Sequence, residues 1–206
     1  MSKKELAVML SKLKVFEEPE MKLEQYPTDS EVAADALWLA YMQGDVDGKV
    51  IADLGSGTGI LGLGALALGA KKAYLVDIDA KAMELAMENK EFLEEKLGRK
   101  LEAAFSAGDI SMFDEKVDVV IMNPPFGTKN EHIDSAFLLK AMDLAKTIYT
   151  FHKASTKNFI DRLISESKFK AIHYQECDFP LKQSMPQHRK RIERIRVGLW
   201  RLEKKQ

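Results

Sequence analysis

Asn123, Pro124, Pro125 and Phe126 follow the apolar run Val119-Val120-Ile121-Met122, and no other part of the chain is better suited to chemistry. Four apolar residues, three of them β-branched, predict a buried strand that two prolines end abruptly. The turn then presents an amide, two ring-locked backbone units and an aromatic that the pattern leaves exposed. Such a group suits substitution at an amino group on a flat ring, whose lone pair is delocalised and therefore weakly nucleophilic. The Asn123 side-chain oxygen and the Pro124 carbonyl can accept two hydrogen bonds from one NH2. Those bonds draw the nitrogen toward a tetrahedral geometry with its lone pair facing an electrophile, and Phe126 offers a face for stacking. The expected chemistry is amino-group methylation. An ordinary strand-ending turn uses the same residue types, so the upstream sequence carries the decision.

Upstream, Lys49 to Ile60 reads as a strand, a glycine-rich turn and the start of a helix. Gly55, Gly57 and Gly59 let a ligand approach the backbone where a Cβ would clash. The spacing is G-x-G-x-G rather than G-x-G-x-x-G, and Asp53 stands just before the turn, where a pyrophosphate would meet its charge. Both features disfavour a nicotinamide dinucleotide and favour a cationic ligand such as S-adenosylmethionine. Asp77 closes the next strand, at the spacing of a carboxylate that holds ribose hydroxyls. Asp109 follows the run 101–105 and is expected to border an adenine, with Ile110 packed on its face. Asp79 reads as a helix cap.

Hydrophobic period supplies the frame around these residues. Leu6, Met9, Leu10 and Leu13 predict a short amphipathic helix, and 32–40 a second, capped by Thr28 or Asp29. Strands are expected at 49–53, 72–77, 101–105, 117–122, 146–151, 168–177 and 191–202. Helices are expected at 59–68, 80–95, 132–145 and 156–166. This alternation predicts an α/β, doubly wound Rossmann-like sheet, mostly parallel, with an antiparallel edge hairpin formed by the last two strands. The 206 residues are 46% hydrophobic, enough for a single domain. Residues 1–45 would form a helical extension packed on it, and 182–206 a basic loop and the final strand. No run approaches a membrane span, and the first residues lack a secretory apolar core. Cys177 stands alone, which excludes a disulfide framework and a cysteine-rich zinc site and fits a reducing cytoplasm. Its side chain is expected to pack as a small apolar group.

A net charge of −1 conceals an asymmetry: residues 182–206 hold nine Lys or Arg against two acids, a local charge of +7, so the remainder carries −8. A basic segment on an acidic body is expected to meet a phosphate backbone, above all through Gln187 to Arg191 in a loop before the last strand. Gly127 to Ile133 is a candidate lid after the catalytic turn. His132 and His152 read as structural or RNA-contacting residues, with His152 the better neighbour of the site.

Asp53-Leu54-Gly55-Ser56-Gly57-Thr58-Gly59 resembles motif I of class I S-adenosylmethionine-dependent methyltransferases, and Asn123-Pro124-Pro125-Phe126 their amino-methylating motif IV. With Leu23 to Thr28, Val76 to Asp79, Ile121 to Thr128, Ala136 to Leu138 and His152 to Thr156, the chain resembles the methyltransferase-like protein 5 family over most of its length. The resemblance implies N6-methylation of one adenosine in small-subunit ribosomal RNA, with the base unstacked to enter the site. It further implies that Gln25 and Thr28 line the cofactor, with Gly55, Gly57, Thr58, Gly59 and Ile60 in its glycine loop. Asp77 would take the ribose, Asp109 and Ile110 the adenine, and Asn123, Pro124, Pro125 and Phe126 the reaction. The family's second variable position in the glycine loop is often cysteine, whereas Ser56 and Thr58 stand here. A small zinc-binding activator serves eukaryotic relatives and is a possible partner here. The rival readings are methylation of a protein glutamine amide or of a DNA amino group, and an assembly factor that binds RNA without turnover.

Overall fold

Apolar strands alternating with half-apolar helices build one layered sheet in the computed structural model, which describes residues 1–16, 26–126, 133–181 and 193–205. In chain order the elements are α1 (Lys3–Leu10), α2 (Ser30–Met42), β1 (Val50–Leu54), α3 (Ile60–Ala67), β2 (Lys72–Asp77), α4 (Ala80–Leu97) and β3 (Ala103–Ala107). Then follow β4 (Val119–Met122), α5 (Ile133–Leu144), β5 (Thr147–Lys153), α6 (Lys157–Glu166), β6 (Phe169–Leu181) and β7 (Glu193–Lys204). The strand order is β3-β2-β1-β4-β5-β7-β6. β1 to β5 pair in parallel, and β7 returns antiparallel between β5 and β6. The doubly wound sheet with its antiparallel edge is thus as the alternation predicts.

Strand order reverses between β1 and β4. In such sheets the crevice for a ligand opens beyond the carboxyl ends of the strands at that point. β1 and β4 pair with Ile51 opposite Val119 and Ala52 opposite Val120, so both strands end at the same level. The glycine-rich turn and the Asn-Pro-Pro-Phe turn therefore emerge side by side.

Apolar surface is buried on both faces of the sheet. One layer packs Leu10, Leu37, Leu63, Leu75, Ile121 and Phe151 beneath α1 to α4. The other packs Leu54, Val120, Met122, Leu138, Ile160 and Trp200 beneath α5 and α6. At roughly 25 cal/mol per Å2 of apolar area removed from water, these two layers are the main favourable contribution to the fold. Cys177 is half-buried and packs against the first layer.

Element boundaries shift from the pattern-based expectation for local reasons, as at α1 and β3, and the open choice of the α2 cap is resolved. α1 begins at Lys3 because Ser2 and Glu5 form a capping box: the Glu5 N–H donates to Ser2 Oγ and the Ser2 N–H to Glu5 Oε2. It ends before Leu13. β3 starts at Ala103 rather than 101, because the Leu101 N–H is tied to Glu94 Oε1 on α4 at 2.7 Å. Asp29, not Thr28, caps α2, accepting from the Glu31 and Val32 N–H groups. Thr28 is thereby free for another role. Among the described residues no helix is long and apolar enough to cross a membrane.

Candidate active site

Asn123 leaves β4 on the face that Ile121 shares, toward the N-terminus of α2. Its Nδ2 donates to Thr28 Oγ1 at 3.0 Å. That bond fixes the amide, and the Asn123 Oδ1 is buried with no partner among the described residues. Buried polar atoms are nearly always satisfied, so an orphaned acceptor at a strand end marks a place for a ligand donor. Pro124 is buried and Pro125 half-buried beside it. Phe126 corrects the sequence-based expectation of an exposed aromatic, being only 7% exposed. Its ring meets that of Phe179 on β6 edge to face, with centroids 6.0 Å apart. A residue distant in sequence has covered it, which no local pattern signals.

The glycine turn is held from two sides. Gly55 and Ser56 both donate their N–H groups to the Val76 carbonyl, at 2.8 and 3.0 Å. Gly59 closes the turn onto the Ser56 carbonyl at 2.8 Å and has φ +87°, and a Cβ there would stand 2.7 Å from Leu75. Only glycine fits both constraints. Beneath the turn, Asp53 is 1% exposed and its Oδ2 accepts from the Gly62 N–H at 2.7 Å in the first turn of α3. Its Oδ1 and the Ser56 Oγ are buried without partners among the described residues. Burial pushes the Asp53 carboxyl up to about 7, against the pull of the Gly62 N–H, and neighbouring Asp77 pushes it further.

Asp77, half-buried at the end of β2, reaches across the turn: its Oδ2 accepts from the Gly57 N–H at 2.7 Å and its Oδ1 from the Asp79 N–H at 3.0 Å. Burial raises its pKa as well. Asp79 caps α4 through the Lys81 N–H, as expected. Asp109 is exposed and caps the short turn Ile110–Met112 through the Ser111 N–H at 2.8 Å, which lowers its pKa. It follows Gly108, whose N–H donates to the Asp77 carbonyl, so the two acids sit at neighbouring strand ends. Ile110 packs half-buried on the second apolar layer. Thr58 is buried, and Ile60, with Pro27, Thr28 and Pro180, lines a cavity of about 100 Å3. The structure thus brings together the ends of β1, β2, β4 and the start of α2. Gln25, His132 and the proposed lid from Gly127 lie outside the described residues, except Ile133, which opens α5.

Some neighbours of the site were not legible as such. Asn89 on α4 binds the Thr58 carbonyl, and its signal is a polar residue on the apolar stripe Ala82, Ala86, Leu93. Phe179 offers no signal. His152 is buried on the opposite face of the sheet from Asn123. Its Nε2 lies 3.0 Å from Thr150 Oγ1 and its Nδ1 3.7 Å from the Asp134 carboxylate, and its ring packs edge-on against Trp200. Burial lowers its pKa while Asp134 raises it.

The basic tail is less available than its composition implies. Arg196 pairs with Glu176 at 2.5 Å, and Arg201 is buried with Asp45 at 2.9 Å and Glu203 at 2.7 Å. The segment Gln187 to Arg191 lies outside the described residues.

This arrangement has known counterparts. Residues 30–147 match the methyltransferase small domain. The chain is 37% identical to rRNA N(6)-adenosine-methyltransferase METTL5 of Danio rerio, over 98% of each chain. It is 36% identical to an uncharacterised protein of Methanocaldococcus jannaschii, over 98% of this chain and 94% of that one. A crystal structure from Pyrococcus horikoshii superposes with a TM-score of 0.87 at 42% identity, covering 99% of this chain and 98% of that chain. The matched span carries the glycine turn, Asp77 and the Asn-Pro-Pro-Phe turn on the strands just described, and the chain belongs to the methyltransferase small domain family and, within it, to the METTL5 group.

Proposed function

We propose that this protein transfers the methyl group of S-adenosylmethionine to the N6 atom of an unstacked adenosine in small-subunit ribosomal RNA, in the cytoplasm. The observation that carries this reading is the buried Asn123 Oδ1, without a partner among the described residues and aimed by the bond from its amide to Thr28. The activity named for the zebrafish relative, which shares nearly the whole chain, supports the base and the class of RNA.

The glycine turn fits that cofactor. Its left-handed glycines keep side chains away from the backbone, and the Asp53 Oδ1 and Ser56 Oγ beneath it, without partners among the described residues, provide acceptors for a cationic ligand. Asp53, Gly55, Gly57, Thr58, Gly59, Ile60, Asp77, Asp109 and Ile110 would hold it, with Gln25 and Thr28 from the N-terminal side. When bound, the cofactor supplies an electrophilic methyl on a positively charged sulfur. Asn123 Oδ1 and the Pro124 carbonyl accept the two N6 hydrogens and orient the lone pair. Pro125 stiffens the turn, and Phe126, backed by Phe179, forms the aromatic wall for the base. Most of the rate then comes from position, and no strong base is needed because the nitrogen turns acidic only once methylated. Its proton leaves to water.

Near the β3 edge, Ile78 is 60% exposed and Met112 81%. That surface suits a small zinc-binding activator, whose requirement is read by assaying the chain with and without it.

The decisive experiment incubates the pure protein with labelled S-adenosylmethionine and small ribosomal subunits that lack the mark. The RNA is then digested and its nucleosides identified by mass spectrometry. Label in N6-methyladenosine is expected; label in protein instead, or in DNA supplied in a parallel assay, would replace this reading with the rival substrates. Cofactor binding with no labelled product would leave an assembly factor.

A further inference from the structure

Asn89 is 1% exposed and commits its whole side-chain amide to two other segments. Its Oδ1 accepts from the Lys14 N–H at 2.7 Å, and its Nδ2 donates to the Lys14 carbonyl at 3.0 Å and to the Thr58 carbonyl at 2.9 Å. One side chain thus pairs with a backbone residue as a neighbouring strand would, and ties it to the glycine-rich turn. Two residues on, the half-buried Phe16 ring lies against that turn: a Cβ built on Gly57 would stand 3.5 Å from it. Gly57 is also the residue whose N–H donates to Asp77.

Core packing alone does not require this clamp. Leu10 and Leu13, at 2% and 7% exposure, already anchor the segment in the first apolar layer, and Phe16 is not part of that layer. The clamp instead fixes where the Phe16 ring stands relative to the turn. On the other side of the cleft, Thr28 is bonded to Asn123. The two described segments therefore flank the site, one at the glycine turn and one at the catalytic amide.

We propose that Phe16 is a wall of the S-adenosylmethionine pocket and that Asn89 is the positioning residue that docks it there. The inference rests on the cofactor reading above. An aromatic ring beside the turn excludes water and offers a π face to a cationic ligand. The bonds from Asn89 engage only the backbone of Lys14 and Thr58, so they hold the strap whatever side chains those two positions carry.

Calorimetric titration of the full chain with S-adenosylmethionine tests this, alongside thermal melting, RNA binding and hydrogen exchange at the Lys14 amide. Phe16→Ala is expected to weaken cofactor binding roughly tenfold, with RNA affinity and melting temperature kept and Phe16→Tyr restoring the loss. Asn89→Ala is expected to weaken it similarly and to release the Lys14 amide to fast exchange. If Asn89→Ala does not fold, Phe16→Ala alone decides. An affinity within about twofold of the unaltered chain in the folded Phe16→Ala variant would overturn the proposal while leaving the cofactor reading intact. Failure of the unaltered chain to bind would remove both.

Discussion

The Asn123 amide nitrogen donates to the Thr28 hydroxyl at 3.0 Å, and this bond decides which atom of the side chain faces the cleft. An Asn side chain free to turn would offer a donor as often as an acceptor. Thr28→Val keeps the shape and removes the acceptor. Turnover should fall by about 10- to 100-fold, the cost of a misplaced catalytic group, while Thr28→Ser stays near the unaltered rate. Asn123→Ala should lose on the order of 100-fold or more in kcat with cofactor affinity little changed. Single-turnover kinetics beside S-adenosylmethionine calorimetry separates the effects; a loss confined to cofactor binding would reassign Asn123 and limit Thr28 to holding the cofactor.

Phe126 packs in the core and is proposed to stack on the base, and one substitution touches both. Its ring is buried against Phe179 on β6. Phe126→Ala should cost about 3–5 kcal/mol of stability as a core truncation, read by chemical denaturation. The same variant should lose about 1–3 kcal/mol of binding to single-stranded RNA if the ring stacks on a base. Phe179→Leu should lose the stability but only part of the RNA affinity. Equal RNA affinity in the unaltered chain and Phe126→Ala, measured where both are folded, would confine Phe126 to packing.

What the sequence made legible follows from how local each signal is. β1, β2, β4 and α4 were readable because apolar period, prolines and glycines act within a few residues. The turn after β4 was readable because Asn-Pro-Pro-Phe is short and rigid. The Asn89 bonds to Lys14 span 75 positions, and the Thr28 bond to Asn123 spans 95. No window on the chain contains either pair. The choice between Thr28 and Asp29 as the cap of α2 stayed open for the same reason, since both residues are competent caps and tertiary pairing selects one. Phe126 looked exposed because only folding brings Phe179 to it. The activity of the arrangement became readable through the combination of two motifs, each weak alone.

The buried Asp53 predicts a pH dependence whose sign is fixed. Burial lifts its carboxyl to about 7, above the unfolded value of about 4. Between those values the native state holds a proton that the unfolded chain has released, so this group's contribution to stability is full below about pH 4. It declines as pH rises to about 7 and is level above. Asp53→Asn keeps an acceptor for the Gly62 N–H and should flatten the denaturation midpoint across that window. A bound cation favours the carboxylate, so S-adenosylmethionine should bind more tightly as pH rises to 7 and release a proton at pH 6. Calorimetry in buffers of different ionisation enthalpy counts that proton, and uptake instead of release would contradict the assignment.

Asp45, in the loop before β1, forms a largely buried polar knot with Tyr149 and Arg201. The Tyr149 hydroxyl donates to Asp45 Oδ2 at 2.6 Å, and the Arg201 Nε lies 2.9 Å from both Asp45 Oδ2 and the Tyr149 oxygen. It ties the loop before β1 to β5 and β7. Removing one partner leaves a charge poorly compensated in the interior, and Asp45→Ala should destabilise by about 3 kcal/mol. Arg201 keeps Glu203 at 2.7 Å, which holds the loss at the low end of the range for buried pairs. Thermal melting checks this, and kcat measured well below the melting transition should be unchanged.

The basic segment makes a spatial prediction about RNA. β7 runs antiparallel to β5, with Val197 opposite Lys153 and Glu203 opposite Thr147. The strand ends Leu181 and Glu193, which lead into residues 182–192, therefore lie at the catalytic end, and Lys204 and Lys205 at the opposite one. Arg196 and Arg201 are already neutralised by internal acids. Substituting Arg189, Lys190 and Arg191 together by Ala should lower the slope of log K against log salt by about 2, at roughly 0.7 per single-strand phosphate contact. Replacing Lys204 and Lys205 should leave the slope unchanged. Fluorescence anisotropy with a labelled RNA across a salt series measures both. The reverse pattern would mean that RNA crosses the amino-terminal end of the parallel strands, where it cannot reach Asn123.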